Sequence, residues 1–382
     1  MTRGTNGYNI LVLPGDGIGP EIIKEALKVL DKVSQAFGTR FDFTEALCGG
    51  VAIDREGAPV SRRTMKLAEE ADAILLGAVG GPKWDNLPTE KRPEKGLLDL
   101  RIDLDMYANL RPVKVYEPLA NASTLKREVV HGIDMIVVRE AVSGLYFGQP
   151  RGVKKTAEGR EGFNTMRYTD KEIERIVRFG FELAMKRRRK LTSVDKANVL
   201  ETMALWREVV QEVAKDFPKV ELDHQFVDNA SMQLIRNPSQ FDVLVTGNMF
   251  GDILSDEASM LTGSIGMLAS ASVGGKSAMF EPVHGSAPDI AGQGVANPIA
   301  MILSAAMMLE MICRSPEASQ AVNRAVEEVL DEGYRTPDLL ATLIDHKTFS
   351  LSDTVWNEAG DAVKIVSCSE MGRLIADRVR VS

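Results

Sequence analysis

"LPGDGIGPE", residues 13–21, is the stretch on which the fold turns. It links an apolar, strand-like run, "NILVL" from Asn9, to a helical pattern with Pro20 in its first turn. Gly15, Gly17 and Gly19 are spaced much like the glycines of a dinucleotide-binding turn, where bare backbone approaches a pyrophosphate. That fingerprint wants its third glycine one residue later, and this chain has Pro20 there. The match is incomplete, and glycine required only for a tight turn is the competing reading.

Outward from this turn the same alternation continues. The first helix runs from Pro20 to about Gly38, and "FDFTEAL", "ADAILLGAV", "DMIVVRE" and "FDVLVTGN" read as further strands. Helical patterns lie near 170–190 and 200–215, so an α/β protein with a largely parallel, helix-covered sheet is expected. Residues 150–169, "PRGVKKTAEGREGFNTMRYT", are polar and not helical, which suits an extended arm or a mobile loop. "KRRRK" at 186–190 reads as a solvated helix C-terminus and "AMMLEMI" at 306–312 as a core helix.

The bulk properties set limits. A chain of 382 residues suits two domains, and 44% hydrophobic with 26% charged residues is a globular composition. A net charge of −8 argues against a nucleic-acid scaffold. Cys48, Cys313 and Cys368 are too scattered for a disulfide framework, which points to a reducing compartment. No signal-like segment precedes Asn9 and no apolar run approaches the roughly 18 residues of a membrane span, so a cytoplasmic location is expected.

Several side chains could carry chemistry. Arg101, Arg111 and Arg139 could grip carboxylates through paired N–H groups, or lie on the surface. Arg139 follows directly on a buried strand, where α/β sites are built. Lys196 in "SVDKANVLE" could serve as a base if desolvated, and Tyr146 in "SGLYFG" could donate a proton or merely pack. Asp252 and Asp256 in "GNMFGDILSDEAS" share a helix face if that stretch is helical, and with Asp228 they offer the oxygen ligands of a hard cation. A helix N-cap is the alternative for this acidic turn. Histidines 131, 224, 284 and 346 are dispersed, which disfavours zinc. The Gly- and Pro-rich stretch "EPVHGSAPDIAGQGVANP", 281–298, could bring backbone N–H groups to a ligand or be a plain surface loop. Asp289 within it could accept ribose hydroxyls and would repel a 2′-phosphate, favouring NAD over NADP.

Together and in order, "LPGDGIGPE", "ANLRP", "SVDKANVLE", "GNMFGDILSDEAS" and "EPVHGSAPDIAG" resemble the β-decarboxylating dehydrogenases, the isocitrate/isopropylmalate family. The resemblance runs from about Asn9 to beyond Asn297. It implies a two-domain fold with a mixed sheet running through both domains, not a Rossmann fold, in line with Pro20. The expected domains are residues 1–106 with 263–382, and 107–262, the second carrying the dimer contacts and the arm.

The resemblance also implies roles. Arg101, Arg111 and Arg139 bind the malate carboxylates, Val199 and Asp228 also bind the substrate, Lys196 of a partner subunit is the base, and Tyr146 is the acid. Asp252 and Asp256, with Asp228 of the other subunit, hold Mg²⁺ or Mn²⁺, while Glu94, His284, Gly285, Ser286, Ala287, Asp289 and Asn297 hold NAD. The implied assembly is a homodimer that shares its active sites. Leu97 and Leu98 in "PEKGLLDLR" would bury an isopropyl group rather than pair a third carboxylate, so 3-isopropylmalate, a leucine precursor, is the expected substrate. A malate-, tartrate- or isocitrate-type dehydrogenase is the nearest alternative. A non-catalytic regulatory subunit is the other, and the complete set of reacting residues counts against it. Two departures stand out: Ala141-Val142-Ser143 replaces the usual Leu-Thr-Gly, and Ala269 replaces proline.

Overall fold

The computed structural model describes residues 7–340, 350–356 and 362–381, so His346 lies outside the described residues. The opening turn joins strand β1 (Tyr8–Gly15) to the helix Gly19–Phe37. Gly17 has φ +57°, and a Cβ there would lie 2.0 Å from the Ser286 carbonyl oxygen. Glycine is needed here because a second loop closes onto this turn. Gly38, left-handed at φ 71°, ends the helix as expected.

The remaining strands of the first two sheets, in chain order, are β2 (Phe41–Glu45), β3 (Ala73–Ala78), β4 (Ala108–Lys114), β5 (Asp134–Glu140), β6 (Gly152–Thr156) and β7 (Gly159–Phe163). They continue with β8 (Lys190–Asp195), β9 (Glu221–Phe226), β10 (Val243–Thr246), β11 (Ala269–Val273) and β12 (Met279–Pro282). Ten of them form one sheet in the order β2-β1-β3-β12-β11-β4-β5-β10-β8-β9. Both flanks are parallel, but β11 pairs antiparallel with β12 and β4, and β4 pairs antiparallel with β5. The sheet is therefore mixed, and the expected parallel reading describes its flanks only. Strand direction is set by how distant elements connect, which a local pattern does not carry.

Packing follows from composition. β3 is buried along its whole length and β5 along all but its first residue, as continuous apolar strands covered on both faces should be. The helix Ile299–Met311, holding most of "AMMLEMI", lies in the core against β11 and β12. β11 reads "ASASV", and its small side chains admit close packing, with Ser304 donating to the Glu281 carbonyl at 2.9 Å. Each fully buried Leu or Ile, such as Leu30 or Ile22, contributes about 1.5–3 kcal/mol.

Two segments refine the sequence reading. Residues 152–163 form an exposed antiparallel hairpin of β6 and β7, the extended arm rather than a formless loop. "KRRRK" is less solvated than expected. Arg187 Nε donates to Asp242 at 2.8 Å and Arg188 donates to the Asp134 and Phe241 carbonyls, so both clamp the starts of β5 and β10. The three cysteines are buried and unpaired, and among the described residues no helix is long and apolar enough to cross a membrane.

Candidate active site

The acidic turn of "GNMFGDILSDEAS" is the helix Asn248–Ser259, which begins after Gly247 without a side-chain cap. Asp252 therefore caps nothing. It lies in the second turn, with Asp256 one turn on along the same face. β5 delivers Arg139 against this helix, and Gly251 makes the room: a Cβ there would sit 2.7 Å from Arg139 Cγ.

Around Arg139 the charges interlock. Its Nε and Nη2 donate to Asn248 Oδ1 at 3.0 and 2.7 Å, and its Nη1 donates to Asp252. Arg111, from β4, reaches Asp252 at 3.1 Å and Asp256 at 3.0 Å, and is steadied by Asn109 at 2.9 Å and Ser255 at 2.7 Å. Tyr146 donates its phenol proton to Asp252 Oδ2 at 2.8 Å, and the Arg139 guanidinium lies 5.6 Å from its ring centroid. Arg101 donates to Glu281 at 2.6 Å, yet its Nε is shut away from solvent without an acceptor.

These contacts shift the titrations. Burial would raise the Asp252 carboxyl, but the Arg139 and Arg111 charges outweigh it and hold it below the usual range. Asp256, where burial prevails over Arg111, is raised. Burial and then the Arg111 charge bring Arg139 down to about 10, still a cation at neutral pH. Burial and the Asp252 charge push the Tyr146 phenol up to about 12, so it keeps its proton.

Arg101, Arg111, Arg139, Tyr146 and Asp252 line one cavity of about 350 Å³ with Glu94, Leu97, Leu98, His284 and Gly285. A larger surface groove of about 850 Å³, between the helices Gly19–Phe37 and Cys368–Arg378, holds none of the candidate residues. Lys196, Val199 and Asp228 do not reach the cavity lining; Lys196 donates to Asp228 at 2.7 Å in a separate, more open place. That hydrogen bond lowers the Asp228 carboxyl. Lys196 lies just before the turn that leads into the helix Glu201–Ala214. Among the described residues, no group of three His, Cys, Asp or Glu side chains is placed to hold a metal within this chain.

The loop after β12 is less uniform than the sequence suggests. His284 has a buried Nε2 with no partner, and burial lowers its pKa. Ser286 is buried, and its carbonyl accepts from Ile18 N at 2.8 Å. Ala287 holds a left-handed φ of 39°, and Asp289 is exposed. Asn297 is buried with its amide engaged by Asp338 and by the Ile299 N–H.

The sequence model of the family described as "Isocitrate/isopropylmalate dehydrogenase" matches residues 9–372. The chain belongs to this family. A 3-isopropylmalate dehydrogenase of Aquifex aeolicus is 61% identical over 87% of this chain and 91% of its own length. One of Hahella chejuensis is 56% identical over 97% and 99%. Among solved structures, an isocitrate dehydrogenase of Methylococcus capsulatus superposes with a TM-score of 0.82 at 34% identity, covering 98% of this chain and 99% of that one. Family membership makes the chain a dehydrogenase of this mixed-sheet fold.

Three contributors escaped the sequence reading. Asn248, fully buried, orients Arg139; its position in "TGN" directly after a buried strand was the available signal. Glu281 opens the loop motif and pairs with Arg101. Asp16, between the glycines, accepts from the Gly50, Val51 and Gly80 N–H groups at 2.7–2.9 Å and so ties three loops beside the cavity.

Proposed function

We propose that the chain catalyses the oxidative decarboxylation of 3-isopropylmalate to 4-methyl-2-oxopentanoate and CO₂, a step of leucine biosynthesis, with NAD and Mg²⁺ or Mn²⁺ in the cytoplasm. One observation carries this reading: the arginines, Tyr146 and Asp252 converge with Leu97 and Leu98 in one cavity. A carboxylate in that cavity would give Arg101 Nε the acceptor it lacks. The leucines would cover the isopropyl group, at about 25 cal/mol per Å² of apolar surface buried. The A. aeolicus and H. chejuensis proteins bear the name 3-isopropylmalate dehydrogenase, which agrees.

The residues fit both groups that the chemistry requires. Asp252 and Asp256 are hard oxygen donors with a third expected from Asp228, and the unpartnered His284 Nε2 beside Gly285 suits a bound nicotinamide dinucleotide. When bound, NAD⁺ supplies the hydride acceptor for C2 and the divalent cation supplies Lewis acidity. The chain's own part is to hold and move protons. Lys196 takes the proton of the C2 hydroxyl, and Tyr146 returns one to C3 once CO₂ has left. Arg101, Arg111 and Arg139 keep the carboxylates fixed throughout.

Lys196 and Asp228 must then come from a second copy, which defines a homodimer. The helices Val227–Arg236 and Asn248–Ser259 pack together and leave Met232, Ile235 and Ile253 exposed, 60% in the case of Met232, beside Asp228. Such an apolar face is the kind of surface that a symmetric partner covers. On this reading the domains are 1–106 with 263–382, and 107–262, a division that the antiparallel β4–β11 pair would bridge. NADH formation with 3-isopropylmalate, malate, tartrate and isocitrate in the presence of Mn²⁺ tests the reading. Fast turnover of 3-isopropylmalate alone is expected, and a preference for any other acid overturns it.

A further inference from the structure

The short segment between Arg139 and Tyr146 contains the departure Ala141-Val142-Ser143, and it is bound on every side. Glu140 accepts from Val142 N at 3.2 Å and Ser143 N at 2.8 Å. Asn248 Nδ2 donates to the Ser143 carbonyl at 3.0 Å, and Gly144 N donates to the Arg167 carbonyl at 3.1 Å. These contacts use backbone and would form with other side chains at the position. The Ser143 hydroxyl differs. It precedes the tight turn Gly144–Tyr146 without capping it, and donates instead to Glu172 Oε1 at 2.8 Å, in the first turn of the helix Asp170–Lys186.

We propose that Ser143 is a positioning residue for Tyr146, its hydroxyl locking the tyrosine-bearing turn to Glu172. This rests on the reading of Tyr146 as the proton donor. Glu172 is itself held by further bonds. Its Oε2 accepts from Thr169 N at 2.7 Å and Thr169 Oγ1 at 2.8 Å, in a capping box. Burial would raise its pKa, but the bonds from Thr169 and Ser143 outweigh it and keep it a carboxylate, a strong acceptor. Beyond the turn, Tyr146 is fixed by its hydroxyl on Asp252, so the turn is pinned at both ends. Loss of the hydroxyl would leave the backbone contacts of Val142, Ser143 and Gly144 in place and free only the side link to Glu172. That should loosen the turn enough to let Tyr146 shift while the arginines stay in place. Turnover should suffer and substrate binding should not.

Ser143→Ala removes the donor, and Glu172→Gln keeps the capping box while replacing the charged acceptor by a neutral amide, which weakens the same bond. Ser143→Ala should lower kcat by about fivefold to tenfold and Glu172→Gln by less, each with KM for 3-isopropylmalate changed less than about twofold. The double variant should be no slower than Ser143→Ala alone, because with the hydroxyl gone the change at Glu172 has no bond left to weaken. An unchanged kcat in Ser143→Ala, losses that multiply in the double variant, or a KM that rises with the loss overturns the proposal. If the wild type prefers another 2-hydroxy acid, the cycle is run on that acid; the proposed substrate then fails while the role of Ser143 is still decided. Hydrogen exchange of the amides of 144–148 reads the lock without turnover. It should be faster in Ser143→Ala, and equal exchange overturns the proposal.

Discussion

The site exists in two unlike halves. Around the cavity, buried Arg111, Arg139 and Asn248 join half-buried Asp252 and Tyr146 in a lattice in which each group has two or more partners. Lys196 and Asp228 form one hydrogen-bonded pair, with Asp228 mostly exposed. A buried cluster must satisfy every charge internally, because an unpaired buried charge costs several kcal/mol. An exposed pair is screened by water and fixed by little. The first half is complete in one chain, and the second awaits a surface to close against.

The largest effect should come from the looser half. Lys196→Met should lower kcat by about 10³-fold, the loss expected for a general base, with the thermal midpoint nearly unmoved. Unchanged turnover would show that the base is misassigned. If the halves belong to different subunits, a second result follows. Lys196→Met and Arg139→Ala chains, each inactive alone, should recover about a quarter of wild-type activity after unfolding and refolding together, since half the dimers would be mixed and each would carry one intact site. No recovery would place both halves of a site in one chain.

How much of this was legible beforehand depends on the kind of residue. Asp252 with Asp256, Arg139 at a strand end and Tyr146 stand out as candidates because their chemistry and local spacing travel with the sequence, but each has a plain structural alternative and only the family resemblance gives it a role. The antiparallel β4 and β11 were not readable from local pattern, since direction depends on which distant strands pair. The role of Asn248 is not legible locally, because its importance lies in the Arg139 donors it meets across 109 residues of chain. The clamp by Arg187 and Arg188 was hidden for the same reason: a basic run at a helix end looks solvated until β5 and β10 arrive beside it.

The dense half should reveal its cost through pH. Burial raises the Glu140 carboxyl from 4.5 to about 7. Between those values the folded protein keeps a proton that the unfolded chain has released. The stabilising contribution is therefore whole below about pH 4.5 and lost as pH rises through 7, a span of about 3 kcal/mol. Glu140→Gln cannot ionise, so its stability relative to wild type should improve by about that amount from pH 4.5 to pH 8, measured by urea unfolding. A difference that stays flat over this range would show Glu140 to be ionised throughout.

Asn248→Ala attacks the lattice more gently. It leaves Arg139 Nε and Nη2 without their acceptor, at a cost of about 1–3 kcal/mol of stability. KM for 3-isopropylmalate should rise by about tenfold as the guanidinium loses its orientation. A KM within twofold of wild type would mean that Asp252 alone aims Arg139.

The smallest structural effect should come from Asp228→Asn. Its partner Lys196 is partly solvated and its own carboxylate mostly so, which leaves little folding energy in the pair. The thermal midpoint should move by less than about 2 °C, because water replaces what the carboxylate supplied. Turnover at low Mn²⁺ should nevertheless fall and recover as Mn²⁺ is raised, since one of three expected oxygen donors is weakened. A large drop in melting temperature would mean that Asp228 is already buried against a partner in the resting protein, and the open half would then be as rigidly built as the closed one.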